Sequence, residues 1–143
     1  MTQNAEMAPI ALFVYKRLSH LLRTVEALKL DPLAIQTKLI IFSDGARNEY
    51  DSCDVAAVRN YLATISGFAE IEINLHQENL GLAENIIFGV SAVCRKYGRV
   101  IVLEDDIIVS PHFLSYMNSG LKTFKDDDQV MHISAASYLN LDS

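Results

Sequence analysis

The sequence predicts an α/β domain with a doubly wound, mostly parallel sheet and helices on both faces. Short apolar runs alternate with segments whose apolar residues recur at helical spacing along almost the whole chain. Three of these runs show no polar alternation, which is typical of strands covered on both faces. Since connections between parallel strands are right-handed crossovers, the pattern implies a Rossmann-like sheet with the local strand order 3-2-1-4.

Five strands and four helices make up the predicted order. The predicted strands are Ile10–Val14, Leu39–Phe42, Ile71–Leu75, Val100–Leu103 and Val130–Ser134. The apolar stripes of the predicted helices span Leu18–Leu28, Val55–Ile65, Ala83–Tyr97 and Phe113–Phe124. The first, second and fourth strands are uniformly apolar, so we expect helices on both of their faces. The third strand alternates with polar residues, which fits an edge.

Capping residues mark where several of these helices begin or end. Ser19 and Asp51 are placed to cap the first and second helices, and Gly67 is placed to end the second. Ser110 before Pro111 predicts a capped start for the fourth helix, with proline at its first position.

Length and composition fit one globular domain, residues 1–143. The 143 residues are 50% hydrophobic and 21% charged, which excludes a disordered chain. Cys53 and Cys94 are the only cysteines, so a disulfide scaffold is excluded. A net charge of −6 without a Lys/Arg cluster argues against nucleic acid as a partner. The sequence has neither a signal-peptide pattern nor an apolar run of the ~20 residues that a membrane helix needs, so we expect a cytoplasmic protein without a transmembrane segment.

Polar loops follow the first four predicted strands. These loops are Tyr15–Arg17, Ser43–Gly45, His76–Leu82 and Glu104–Asp106. Because ligands of open parallel sheets bind outside the carboxyl ends of the strands, we expect a binding crevice where these loops meet.

Three consecutive acids, Glu104, Asp105 and Asp106, end the most hydrophobic strand. Neighbouring carboxylates repel one another unless a cation neutralises them, and a hard divalent ion prefers oxygen ligands. One interpretation is therefore Mg²⁺ or Mn²⁺ that bridges the protein to a diphosphate. The other is a solvated acidic turn, which is how we interpret the run Asp126–Asp128 after the fourth helix.

Other polar residues of these loops have two interpretations each. Asp44 accepts hydrogen bonds from a base or ribose, or it is a turn residue. Arg17 contacts a base or phosphate, or it forms a surface ion pair. The segment Asn79–Ala83 opens a helix whose N-terminus favours an anion, or it is a turn that Gly81 permits. The signatures of P-loop enzymes, dinucleotide-binding folds and serine hydrolases are absent from the sequence.

Taken in order, four motifs are similar to those of a known family. They are Ala8–Arg17, Ile41–Gly45, Glu78–Leu82 and Val102–Asp106. This ordered set resembles the nucleotide-sugar-binding half of GT-A fold glycosyltransferases. It is most similar to family-two-like sugar transferases and to the N-acetylglucosaminyltransferase I type, whose metal motif also reads Glu-Asp-Asp. The resemblance extends from Pro9 to about Ser137.

The resemblance implies roles for individual residues. Asp106 is the implied direct ligand of Mn²⁺ or Mg²⁺, with Glu104 and Asp105 near the donor sugar and ribose. Asp44 is implied to meet the base, and Arg17 to contact the nucleotide. The remaining implied donor-binding residues are Tyr15, Asn79 and Gly81, and the segment His132–Ala135 is implied to flank the donor. Lys16 stands where the family usually has Asn.

The implied activity is transfer of a sugar from a nucleotide-diphospho-sugar to a glycan or another hydroxyl acceptor, in an inverting reaction. In the family, the catalytic base and the acceptor site lie C-terminal to the region that these motifs cover. We therefore assign no catalytic residue and expect the N-terminal part of a longer glycosyltransferase, inactive alone. The alternatives are a non-catalytic nucleotide-sugar-binding module, a truncated fragment, or a sugar nucleotidyltransferase. The last is disfavoured because Tyr15–Arg17 stands where its glycine-rich loop belongs.

Overall fold

A computed structural model describes residues 7–136 and contains one four-stranded parallel sheet in the order β3-β2-β1-β4. The strands are β1 (Ile10–Val14), β2 (Lys38–Ser43), β3 (Glu70–Leu75) and β4 (Ile101–Glu104). The helices are α1 (Leu18–Lys29), α2 (Glu49–Leu62), α3 (Leu82–Tyr97) and α4 (Phe113–Thr123), and a short 3-10 helix spans Ala34–Gln36. The predicted fold class and strand order are confirmed.

Side chains alternate along the central strands and divide the core into two layers. On one face, strand residues such as Leu12 and Ile41 pack with α1, α2 and α4. On the other face, Phe13 and Phe42 pack with α3. The centre of the sheet is thus covered on both faces, and the buried residues of β1 and β2 are apolar except for Ser43 at the end of β2.

α3 lies unusually close to the sheet at Gly89. A Cβ atom at this position would lie 2.6 Å from a ring atom of Phe13 and 2.9 Å from one of Phe42. The two rings stack with their centroids 5.2 Å apart and form the flat surface on which the helix rests. Glycine is therefore required here by the close approach of helix and sheet.

Several predicted helix ends are wrong by a few residues. α2 begins after Asn48, whose side chain accepts a hydrogen bond from the backbone N–H of Asp51. Asp51 does not cap the helix, because its carboxylate is bonded to residues that follow β1. α1 begins at Leu18 without a side-chain cap, and α4 begins at Phe113 instead of directly after Ser110. Gly67 lies in the loop beyond the end of α2.

The predicted fifth strand, Val130–Ser134, is also wrong. Within residues 7–136 this segment forms no ladder with the sheet. α4 holds it instead: Ile133 packs on the core that α4 shares, and Tyr116 donates its hydroxyl hydrogen to the carbonyl oxygen of Ser134. This segment is therefore held by contacts with a helix and not by pairing with a strand.

By the residues that the structure describes, β4 is fully covered on one face only, which corrects the expectation for the fourth strand. Ile101 and Leu103 are buried, but Val102 on the opposite face is 41% exposed. Among residues 7–136, α3 is the only helix on that face, and its close contact is with Phe13 of β1 and Phe42 of β2. Val102 instead borders an open cavity of about 1190 Å³ between α3, α4 and residues 131–136. In the described part of the chain, no helix is long and apolar enough to cross a membrane.

Candidate functional site

The loops that follow the four strands meet at the carboxyl edge of the sheet. Ser43 at the end of β2 pairs in register with Val14 of β1 and with Leu75 of β3. Glu104 at the end of β4 pairs with Phe13. Since all four strands are parallel, the polar residues after them leave the sheet on the same side. The chain path reverses between β1 and β4, which is the position where ligands bind in open α/β sheets.

Arg17 contacts the two aspartates that follow β4. Its Nη2 atom lies 2.6 Å from Oδ1 of Asp105 and 3.1 Å from Oδ2 of Asp106. Desolvation opposes the charge of the guanidinium, yet the carboxylates of Asp105 and Asp106 outweigh it and raise the pKa of Arg17. We call this cluster of Arg17, Asp105 and Asp106 the acidic end.

The two aspartates of the acidic end differ in exposure. The Asp105 side chain is 5% exposed and also accepts a hydrogen bond from the backbone N–H of Tyr15. Its backbone carbonyl accepts a bond from the hydroxyl of Thr24 in α1, over 2.9 Å. The Asp106 side chain is 38% exposed. Asp105 is therefore fixed by its neighbours, while Asp106 is available to a ligand from solvent.

The donor set of the acidic end fits one mode of divalent-ion binding. Among residues 7–136, no three side chains of His, Cys, Asp or Glu converge on a common point. A complete protein cage is therefore absent from this region. Mg²⁺ is commonly held by one or two carboxylates, with water and substrate phosphates completing its shell. The exposed carboxylate of Asp106 fits that mode, and Glu104 lies at the end of the same strand beside the open cavity.

Asp44, after β2, is the centre of a second cluster. Its Oδ1 atom accepts hydrogen bonds from the backbone N–H of Gly45 and Leu80, over 2.9 and 2.8 Å. Its Oδ2 atom accepts from Asn79 Nδ2 over 3.1 Å and from the backbone N–H of Gly81 over 3.0 Å. The residue is 4% exposed. These bonds fasten the loop before α3 to the end of β2, and we call Asp44 with residues 79–81 the loop knot.

Gly45 is required at the loop knot by a close approach of two backbones. A Cβ atom there would lie 2.5 Å from the carbonyl carbon and oxygen of Glu78. The Gly45 carbonyl also accepts a hydrogen bond from Asn79 Nδ2, over 2.8 Å. Any side chain at this position would separate the two loops.

Arg59 of α2 is a residue at this edge that the sequence analysis missed. Its guanidinium donates to the backbone carbonyl oxygens of Ser43, Asp44 and His76, over 3.4, 3.1 and 2.6 Å. Its Nε atom also donates to the Ser43 hydroxyl over 3.1 Å. One feature of the sequence could have indicated this role. Arg59 follows Val58, which is on the buried stripe of α2, so Arg59 lies at the border of the helix face that packs on the sheet.

Tyr15 and Lys16 are held against α2 by Asp51. The Tyr15 hydroxyl donates to the Asp51 carboxylate over 2.7 Å and accepts from the backbone N–H of Arg47. Lys16 forms an ion pair with the same carboxylate. The hydrogen bonds from Lys16 and Tyr15 lower the pKa of Asp51, whereas burial and the bond to Asp51 raise the pKa of Tyr15. The residue that departs from the family pattern, Lys16, thus has a structural partner.

Comparison with known proteins identifies the class of this chain. The model of the GNT-I family matches residues 1–138. The chain belongs to the GNT-I family. This is a GT-A-like family of the N-acetylglucosaminyltransferase I type, so the resemblance inferred from the motifs is confirmed. No curated protein matches the sequence.

Membership of the GNT-I family indicates a glycosyltransferase, with a nucleotide-sugar donor and an acceptor as its partners. The structure brings the predicted residues into two groups. Tyr15, Arg17, Glu104, Asp105 and Asp106 lie at or beside the acidic end. Asp44, Asn79 and Gly81 form the loop knot. Their contacts with a donor remain predictions.

Proposed function

We propose that this chain is the donor-binding portion of a metal-dependent glycosyltransferase that takes a nucleotide-diphospho-sugar. The observation that carries the proposal is the acidic end itself. It joins an exposed carboxylate to an arginine at the point of the sheet where the chain path reverses. One such edge presents ligands for both a cation and an anion, which a metal–diphosphate complex requires.

In this proposal Asp106 holds Mn²⁺ or Mg²⁺ through its exposed carboxylate. When bound, such an ion supplies Lewis-acid stabilisation of the negative charge on the departing nucleoside diphosphate. Arg17 binds the nucleotide as a permanent cation, since a guanidinium matches the oxygens of a phosphate. The buried Asp105 orients that guanidinium through the 2.6 Å contact. Glu104 lies toward the donor sugar and ribose.

The loop knot forms the base side of the proposed crevice. Its backbone is fixed by Asp44, and Asn79 and Gly81 face the same edge of the sheet as the acidic end. Tyr15 connects the two sides, because its N–H reaches Asp105 and its hydroxyl reaches Asp51. In this proposal, these contacts form the crevice before a donor arrives.

Transfer to the acceptor hydroxyl requires a base that takes its proton, which in an inverting reaction is a carboxylate. We assign no such base among residues 7–136, and we propose that this region binds a donor without transferring its sugar. The acceptor is a glycan or another hydroxyl compound, and the site of action is the cytoplasm.

Calorimetric titration with UDP, GDP and their sugars, with and without Mn²⁺, tests the proposal. We expect at least one of these nucleotides to bind, and to bind more tightly with Mn²⁺. Asp106→Asn should weaken the Mn²⁺-dependent binding about tenfold, because a neutral amide is a poor ligand for a hard cation. The matched control is Asp126→Asn, in the exposed acidic run after α4. If no nucleotide binds, or if both variants behave alike, the proposal is wrong.

A further inference from the structure

We propose that Thr24 and Asp31 are positioning residues for the carboxylate of Asp106. Through them, α1 holds the segment of residues 105–114 in a fixed place relative to Arg17, which directly precedes the same helix. This inference rests on the proposed function, in which Asp106 holds the ion and Arg17 binds the nucleotide. It goes beyond that function by assigning to α1 the coupling between metal and nucleotide.

Arg17, Thr24 and Asp31 follow one another at intervals of seven residues. Seven residues make almost two turns of an α-helix, so the three lie in a row along one side of α1. We call them the α1 row. All three contact the chain that follows β4: the first two contact Asp105, and the third contacts Leu114.

Thr24 is a polar residue on the apolar stripe of α1. It is fully buried, as are Leu21 and Leu28 of the same stripe. A helical threonine often donates to a carbonyl one turn earlier in its own helix. This hydroxyl donates instead to the backbone carbonyl oxygen of Asp105, over 2.9 Å. The bond fixes the main chain at the residue directly before Asp106, and it satisfies a hydroxyl that is costly to bury alone.

The start of α4 is capped by Asp31, which lies 83 residues earlier in the chain. Its Oδ2 atom accepts from the backbone N–H of Leu114 over 2.8 Å, and its Oδ1 atom accepts from that of Leu33 over 2.9 Å. Leu114 is the second residue of α4, where an N-cap side chain usually accepts. Among the described residues, the N-cap of α4, His112, makes no side-chain capping bond, and the first turn has no acid. Asp31 therefore supplies both the acceptor and the negative charge that this helix start favours.

The two bonds enclose the residue that is proposed to hold the ion. Asp105 and Leu114 are 4% and 0% exposed, whereas Asp106, Ile107 and Ile108 between them are all exposed. An exposed stretch that is fixed at both ends has less conformational freedom to lose when a ligand binds. Since α1 provides both bonds, we expect their removal to weaken ion binding more than nucleotide binding alone.

Calorimetric titrations of the full chain with UDP and GDP, each with and without Mn²⁺, test the inference. The decisive quantity is the ratio of the dissociation constants measured without and with Mn²⁺, because it states how strongly metal and nucleotide are coupled. Thr24→Val keeps the branched shape without the hydroxyl and should lower this ratio about fivefold, the usual effect of one hydrogen bond. Affinity without Mn²⁺ should stay within about twofold of the original chain.

Asp31→Ala is a second, independent variant at the other end of the segment. It leaves the N–H of Leu114 without its acceptor and should lower the same ratio by a similar factor. Asp31→Asn keeps one acceptor oxygen and should show part of this loss. If neither Thr24→Val nor Asp31→Ala changes the ratio in a chain that binds UDP or GDP with Mn²⁺, the proposed function stands and the inference is wrong.

Thr37→Val is the matched control for Thr24→Val. Thr37 is also fully buried, and its hydroxyl donates to the carbonyl oxygen of Leu33 over 2.8 Å. It directly precedes β2, at the end of the sheet opposite the acidic end. Thr37→Val should leave the ratio within about twofold of the original chain, and so should Thr24→Ser, which keeps the hydroxyl. An equal loss in Thr24→Val and Thr37→Val, or a loss in Thr24→Val that is the same without Mn²⁺, would overturn the inference.

Amide hydrogen exchange without metal or nucleotide gives a readout that does not depend on binding. The N–H groups of Ile107, in the turn after β4, and of Leu114 should exchange at least about threefold faster in Thr24→Val than in Thr37→Val. Equal exchange in the two variants would contradict the role of Thr24. If exchange rises as expected but the original chain binds neither nucleotide, the proposed function is wrong, while the hold of α1 on residues 105–114 is supported.

Discussion

The loop knot and the acidic end lie at the same edge of the sheet but are constructed differently. In the loop knot, the Asp44 carboxylate is buried and every acceptor position faces a protein donor. At the acidic end, Arg17 is 47% exposed and Asp106 is 38% exposed, so solvent reaches both partners. A saturated cluster fixes backbone geometry, whereas a partly open ion pair can exchange its partners when charged ligands arrive. The loop knot therefore fixes the backbone on one side of the site, and the acidic end presents exposed charges on the other.

The largest effect is expected from Gly45→Ala, which would disrupt the loop knot. The new Cβ atom would meet the backbone of Glu78 at 2.5 Å, and backbone cannot move aside as a flexible side chain does. We expect a loss of about 1–3 kcal/mol in the free energy of unfolding and no detectable nucleotide binding. Urea denaturation and calorimetric titration measure the two effects.

The control for Gly45→Ala is Gly120→Ala in α4. There the atoms nearest to the added Cβ would belong to the flexible side chain of Ile133, the first at 2.9 Å, and alanine favours the helix. Its unfolding free energy should stay within about 1 kcal/mol of the original chain. Equal destabilisation by the two substitutions would contradict the rigid loop knot described above.

At the acidic end, Arg17→Met should reduce nucleotide affinity more than it reduces the free energy of unfolding. Asp105 would lose its cation, but the half-exposed guanidinium limits the cost in unfolding free energy to about 1–2 kcal/mol. Nucleotide affinity should fall about tenfold, and the fall should shrink as salt screens the charge. Thermal denaturation and titration at two ionic strengths provide the measurements, with Arg23→Met as the control. A loss of affinity that is independent of salt would argue against a charge role.

Asp51, which binds Tyr15 and Lys16, gives the smallest expected effect, and this effect depends on pH. The bonds from Lys16 and Tyr15 lower the pKa of Asp51 below its ordinary value of 3.8. A carboxyl whose pKa is lowered by folding stabilises the folded state above that ordinary value, and the contribution is lost as the pH falls through the folded pKa.

Asp51→Asn should therefore be less stable than the original chain at pH 6, and the difference should vanish at a pH well below 3.8. Urea denaturation across this range measures it. Asp54→Asn, on an exposed position of the same helix, should show no such pH-dependent difference. A difference that persists in acid would assign the effect to something other than the ionised carboxylate.

Periodicity predicted the sheet well because it records burial. The uniformly apolar β1 and β2 lie in the centre, and the alternating β3 lies at the edge. The same signal failed for Val130–Ser134, where Ile133 packs on the core that α4 shares and Met131 is exposed. An apolar pattern indicates that a segment is buried, but it does not indicate which element the segment packs against.

The candidate site was predictable in its location and less so in its contacts. The parallel topology alone placed Arg17, Asp44 and Asp106 at one edge. Sequence offered no way to see that Asp44 is saturated by distant N–H groups, or that Arg59 spans the ends of two strands. Both depend on how far loops and long side chains reach, and that distance is set by tertiary packing rather than by residue type.

The contact of Gly89 with the two phenylalanine rings has a consequence for the far end of α3. The helix rises about 1.5 Å per residue, so Leu82 lies about 10 Å along the axis from this contact. Residues of α3 on either side of Gly89 also pack on this layer, so a helix that is tied at one end has little freedom to tilt. The tie is the bond between Asp44 and Gly81, and the point of contact is the aromatic pair beneath Gly89. Gly89, in the hydrophobic core, thereby helps to fix the position of the polar loop that precedes α3 at the candidate site.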